Sequence, residues 1–275
     1  MAKILRQYHY KIMSTLYISW NKKVANKKST IVAGLDPKGD FETTEEFKNW
    51  CMAYISAVSL HVVAIKPNLA FFLDPEKLQV LKECVTYAKS LDLLVIADSK
   101  ISDIGSTNQR WVAMFKDFGF DALTIAPYAG NIRETISYAK VADIGVIAMG
   151  LMSNPEFLGE ATFQKDGEAL FEMRTMECLS AGVDGLVLGG TYKKDSQYLQ
   201  RFLELTKGSD VLYLVPGLGA QGGSITDFFE TGVDPDRCML NFGRELMYEK
   251  GKSETEINHD YWNNKSLEYK NLASL

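Results

Sequence analysis

Eight short apolar, β-branched runs recur along the chain, and no other feature constrains its fold as much. They are TIVAGLD (30–36), VVAIKP (62–67), LLVIAD (93–98), ALTIAP (122–127), IGVIAMG (144–150), GLVLGG (185–190), VLYLVPG (211–217) and CMLNFG (238–243). None alternates with polar residues, so each suits a strand buried on both faces. Helical spacing fills the intervals. TTEEFKNWCMAYISAV opens with a capping box from Thr43 to Glu46. DPEKLQVLKECVTYAKSL places Asp74 as N-cap and Pro75 at the first helical position. STNQRWVAMFKDFG pairs Ser106 with Gln109 and stops at Gly119. Further helices are predicted over 132–142, 162–181, 196–207 and 224–231, and from Ser253 onward. Strand and helix alternating eight times predict an α/β protein built as a (β/α)8 TIM barrel. A doubly wound open sheet is the alternative, and it normally uses fewer strands.

The rest of the chain narrows the field. Its 275 residues are within the range of one large barrel. No Pro-, Gly- or Ser-rich linker interrupts it, so the reading is one domain over 29–275. Residues 1–28 carry seven Lys or Arg and no acid. Only Arg6 is arginine, which argues against a transit peptide. An amphipathic helical extension packing on one end of the barrel is predicted instead, with Ile12, Leu16, Ile18 and Trp20 partly buried. A net charge of -5 gives no general reason to expect nucleic acid. No run approaches the ~18 apolar residues that would span a membrane. Four scattered cysteines without CxxC spacing point away from disulfides and zinc, toward a reducing, cytoplasmic setting. Of three histidines, His61 alone sits in an apolar run, where a structural role is expected, so metal-hydrolase and Ser-His-Asp chemistry lack parts.

In a barrel the chemistry gathers at the strand C-termini. Those ends present Asp36, Lys66 with Asn68, then Asp98, Lys100 and Asp103, and Ser153 with Asn154. Asp98 and Lys100, two apart, would share a strand face beside Lys66 on the neighbouring strand. Two lysines and two carboxylates at a low-dielectric mouth would hold one another charged. After strands 7 and 8 come PGLGAQGG and FGRE. Glycine-rich backbone can approach an anion closely, helix N-termini add partial positive charge, and Gln221 and Arg244 add donors. That combination predicts a phosphate site.

GLDP, KPNLAFF, DSKISDIGST, APYAG, MSNPE, PGLGAQGG and FGRE, in this order, resemble the orotidine 5'-monophosphate decarboxylase family, from about residue 14 to about 250. The resemblance implies a (β/α)8 homodimer that converts orotidine monophosphate to uridine monophosphate and CO2 in pyrimidine biosynthesis, with neither metal nor organic cofactor. It implies that Lys100 protonates C6 and that Asp98 lies near the departing carboxylate. Asp36, Lys66 and Asn68 would meet the ribose, and Ser153 the pyrimidine edge. Asp103, Ile104 and Thr107 would reach into the partner subunit's site. Pro216, Gln221, Gly243 and Arg244 would surround the phosphate. Two departures touch the pyrimidine side: Asn131 stands where an Asp is expected, and AMGLMSNPE differs from the usual Thr-Ser-Asn run. The rivals are a Mg2+-dependent sugar-phosphate lyase of the same superfamily and a catalytically silent nucleotide-binding barrel. Lys66 stands against the first, because such relatives place a carboxylate metal ligand at the end of strand 2. Retention of Lys100 and Asp98 stands against the second.

Overall fold

A computed structural model describes residues 14–152, 154–219 and 223–274. Helix α1 (Thr15–Lys27) precedes eight parallel strands: β1 (Ile31–Leu35), β2 (Ala64–Pro67), β3 (Leu94–Ile101), β4 (Ala122–Ile125), β5 (Gly145–Leu151), β6 (Gly185–Leu188), β7 (Leu212–Val215) and β8 (Cys238–Phe242). Between and after them run α2 (Thr44–Val58), α3 (Pro75–Ser90), α4 (Gly105–Phe118), α5 (Ile132–Val141), α6 (Leu158–Thr162), α7 (Leu170–Ala181), α8 (Gln197–Thr206), α9 (Ile225–Phe229), α10 (Arg244–Met247) and α11 (His259–Ala273). Each strand pairs with its sequence neighbour, and β1 pairs with β8, so the sheet closes as the strand rhythm predicts.

Alternation within each strand divides the core in two. Val32, Ala64, Leu94, Ile96, Ala122, Ile147, Met149, Val187, Leu212, Leu214 and Met239 fill the barrel interior. The intervening residues, among them Ile31, Ala33, Val95 and Leu123, meet the outer helices. The interior cluster is completed from below by α1, whose Leu16 and Trp20 are almost wholly buried in it. Lys27 Nζ fastens the same helix to the Ser59 carbonyl at 2.7 Å. Ile18, expected to be partly buried, is 54% exposed, and Ile12 lies outside the described residues. His61 is structural, its Nε2 3.1 Å from Asn263 Oδ1. The four cysteines are buried and free.

Three local expectations are corrected. Ser106 does not cap α4. The helix starts at Gly105 without a side-chain cap, because Asn108 ties itself to both backbone groups of Asp103 and Asp103 Oδ1 accepts the Ile104 N–H at 2.7 Å. The single helix expected over 162–181 is broken by a hairpin pairing Gln164–Lys165 with Glu168–Ala169. Asp166 and Gly167 both adopt positive φ there, the signature of an Asp-Gly hairpin turn. At α2, Thr43 accepts the Glu46 N–H as expected, but Glu46 reaches back to Glu42 rather than to Thr43.

Candidate active site

Asp98 sits at the centre of the barrel mouth with one lysine on each oxygen: Lys66 on Oδ2 and Lys100 on Oδ1. The side chains of Lys66 and Asp98 are only 8% and 10% exposed, whereas that of Lys100 is 47% exposed. The array is therefore a buried ion pair carrying an accessible ammonium at its outer end. Burial alone would push the Asp98 carboxyl up, but Lys66 and Lys100 outweigh it and hold the group below the usual carboxylate range. Asp36, at the end of β1, has the opposite balance. Its burial dominates and raises its pKa, despite the fields of Lys66, Lys100 and Arg244. Asp36 Oδ1 has no hydrogen-bond partner among the described residues. A buried carboxylate oxygen left unpaired is costly in an unliganded protein and is what a ligand hydroxyl would satisfy.

The path of β3 is not the plain extended strand that places i and i+2 on one face. Ala97 pairs with Leu123 and Ile101 with Ile125, so four steps on β3 match two on β4. The extra length is taken up in a bulge where Lys100 has φ +45°. A left-handed lysine costs roughly 1–2 kcal/mol, so the surroundings must hold it there. Asn68, bridged in parallel register to Asp98, uses its Oδ1 to cap the short turn Leu69–Phe71.

Across the mouth, Gly217 and Gly219 adopt φ +92° and +75°, opening the loop after β7. Pro216 is held from its carbonyl by the Gly190 N–H at 2.8 Å. Gly223 is pressed so closely on this loop that a Cβ would lie 2.6 Å from the Gly190 carbonyl oxygen and 2.8 Å from that of Gly217. Gly243 follows β8, and a Cβ on Gly34 of β1 would lie 3.1 Å from the Gly243 Cα, so the two backbones pass closely here. Arg244 is exposed and forms no ion pair among the described residues. The helices following β7 and β8 have only five and four residues, so the expected helix-terminus contribution is weak. Donors here are Arg244 and loop amides. Gln221 and Ser153 lie outside the described residues.

Asp103, Ile104 and Thr107 are exposed at the start of α4, with Ile104 62% exposed. They form no hydrogen bond or ion pair with Lys66, Asp98 or Lys100 of their own chain. One chain thus brings Asp36, Lys66, Asn68, Asp98 and Lys100 to the mouth beside the β7–β8 rim, with this trio exposed and unbonded to the array.

Residues 30–252 match the Orotidine 5'-phosphate decarboxylase / HUMPS family. The chain belongs to this family. The orotidine 5'-phosphate decarboxylase of Haloarcula marismortui is 31% identical over 242 residues, 82% of this chain and 84% of its own. That of Dechloromonas aromatica is 32% identical over 258 residues, 87% of this chain and 90% of its own. Among solved structures, the Leishmania donovani OMP decarboxylase superposes with a TM-score of 0.74 at 22% identity, over 92% of this chain and 94% of its own. The Leishmania donovani UMP synthase does so with a TM-score of 0.78 at 24% identity, over 95% of this chain and 56% of its own. These two likenesses carry the fold.

Two features of this family member escaped the sequence reading. Thr124, wholly buried on β4, accepts hydrogen bonds from the N–H groups of Ser99 and Lys100. A polar residue facing inward within ALTIAP was the available signal. The C-terminal helix also reaches the β7–β8 rim. Tyr269 donates to Glu245 Oε2 at 3.0 Å and stacks on Phe242, while Tyr261 donates to the Glu245 carbonyl at 2.5 Å and Trp262 to that of Met247 at 2.7 Å. A Cβ on Gly219 would collide with Glu245 Oε2. α11 therefore buttresses the β8 end and, through Glu245, the glycine loop facing it.

Proposed function

We propose that this chain decarboxylates orotidine 5'-monophosphate to uridine 5'-monophosphate and CO2, supplying UMP for pyrimidine nucleotide synthesis. The observation that carries the reading is the Lys66–Asp98–Lys100 array, buried at its base and open at Lys100, together with an exposed Arg244 that forms no ion pair among the described residues. Breaking the bond from C6 to the carboxylate leaves an electron pair in the ring plane, which the π system cannot spread. A fixed ammonium beside that carbon stabilises the developing charge and then donates its proton to C6. In this reading Lys100 is that donor and regains a proton from solvent after product leaves. Asp98 keeps the ammonium aimed, and Lys66 prevents Asp98 from becoming an uncompensated buried charge.

Asp36, Lys66 and Asn68 take the ribose hydroxyls, and the open Asp36 oxygen supports that role. Pro216, Gln221, Gly243 and Arg244 take the phosphate, and Ser153 the pyrimidine edge. Phosphate binding far from the reacting carbon can drive closure over the site. Asp103, Ile104 and Thr107 complete the site of a second subunit in a homodimer, which their exposure and the lack of any hydrogen bond or ion pair to their own array support. Residues 29–275 act as one barrel domain, and within the 1–28 extension α1 packs on its lower end, residues 1–13 lying outside the described residues. A cytoplasmic setting fits four buried, unpaired thiols, and no helix among the described residues is long and apolar enough to cross a membrane.

The family name also covers a second branch, and a Mg2+-stabilised enediolate would need a carboxylate ligand at the end of β2. Lys66 occupies that place and would repel a divalent cation. The test follows the ultraviolet absorbance of orotidine monophosphate mixed with purified protein, with and without excess chelator. Turnover that persists in chelator is expected. No turnover by a folded dimer would remove the decarboxylase reading, and turnover abolished by chelator would favour the metal-dependent one.

A further inference from the structure

We propose that Thr124 is a positioning residue for the reaction: its hydroxyl is the keystone of the β3 bulge that brings Lys100 back onto Asp98. This rests on the decarboxylase reading for its consequence, though not for its geometry. The bulge leaves the N–H groups of Ser99 and Lys100 with no strand partner, because β4 is two residues short of β3 between Ala97 and Ile101. Thr124 Oγ1 accepts both, each at 3.0 Å, using the two lone pairs of one hydroxyl. Thr124 Oγ1 donates its own proton to the Ala97 carbonyl oxygen at 3.3 Å, with Asp98 Oδ1 at 3.5 Å as the other acceptor within reach. Ser99 Oγ donates to the Thr124 carbonyl at 2.9 Å, a second stitch across the same gap.

The consequence is directional. Lys100 adopts φ +45°, a conformation a lysine leaves unless it is held. The group that holds it is the Thr124 hydroxyl, fully buried one strand away and inside the barrel. Among the described residues, Thr124 makes no hydrogen bond to the β7–β8 rim. Its loss should therefore misplace the ammonium without disturbing the remote binding groups. A displacement of about 1 Å at a reacting group costs on the order of 10²-fold in rate.

The test compares Thr124→Val, which keeps shape and removes the hydroxyl, with Thr124→Ser, which keeps the hydroxyl. The expected result is a kcat about 10²-fold lower for the valine variant, with KM and the dissociation constant for UMP within about threefold of wild type. The serine variant should recover to within about fivefold of wild type, and a crystal structure of the valine variant should show Lys100 Nζ drawn off Asp98. A kcat within threefold of wild type in the valine variant would overturn the proposal. So would a serine variant as slow as the valine one, or UMP affinity falling in step with kcat. Should the valine variant not fold, Thr124→Cys, similar in size and a weak acceptor, is read by the same criteria. The crystallographic arm needs no turnover. An inactive wild-type protein would remove the decarboxylase reading and leave the keystone to be decided by the position of Lys100.

Discussion

Asp36 and Asp98 sit in one mouth and titrate in opposite directions, and the sign of each shift says what the residue is for. Asp98 has two ammonium partners and a pKa held below the ordinary value. Its contribution to stability is present above the unfolded carboxylate pKa of about 3.9 and is lost as pH falls through the lower folded value. Asp36 is raised by burial. Its ionisation costs stability, which therefore declines as pH rises from the unfolded pKa through the raised one and stays reduced above it. Asp36→Asn should accordingly raise the denaturation midpoint of the unliganded protein at pH 7, with the gain shrinking as the pH is lowered through that window. The same variant should lower kcat/KM by about 10- to 10²-fold, as expected for a lost charged hydrogen bond to substrate. Asp98→Asn should do the reverse to stability at pH 7, because it strands two lysines. Denaturant titrations across pH check both signs, and a destabilised Asp36→Asn at pH 7 would count against the burial argument.

At the scale of elements, α1 and α11 work at opposite ends of the barrel. α1 closes the end away from the chemistry by placing Leu16 and Trp20 under the interior side chains. Truncating so large a buried residue removes its transfer free energy and leaves a cavity the barrel wall cannot collapse into. Trp20→Ala should therefore lose about 3–5 kcal/mol in chemical denaturation, while the folded fraction keeps a kcat near that of wild type. A large fall in kcat with stability intact would show that the lower end communicates with the mouth. α11 is different, because its tyrosines hold Glu245 beside Arg244 and against Gly219.

At the scale of the whole molecule, a single chain brings together everything in the array but leaves Asp103, Ile104 and Thr107 exposed on the rim of α4. A composite site makes a sharp expectation. Lys100→Ala and Asp103→Ala homodimers should each be slowed by about 10²-fold or more. After subunit exchange, half of the dimers are hybrids at equal input, and each carries one site with both residues native. Mixed samples should regain up to about a quarter of wild-type activity per total site, since half the sites are in hybrids and half of those are intact. Absence of recovery with exchange demonstrated by mass spectrometry would place Asp103 in its own subunit's chemistry or outside it.

Eight buried strands, most of the helices between them, the order of the polar strand ends and the glycine loops after β7 and β8 were legible in the residues, because hydrophobic periodicity and turn chemistry are local. So was the family, through motifs spread along most of the chain. The Asp166-Gly167 hairpin was legible too, yet was hidden by helical spacing on either side. Other features belong to pairs of distant residues. The rotation of Lys100 onto Asp98 depends on a mismatch of register between β3 and β4, and on a threonine 24 positions away that absorbs it. The burial of Trp20 depends on a barrel that exists only once β1 has met β8. Sequence by itself determined which side chains would arrive at the mouth. Tertiary structure alone decided how the lysine is aimed, because only strand register and closure determine which backbone groups are left for Thr124 to hold.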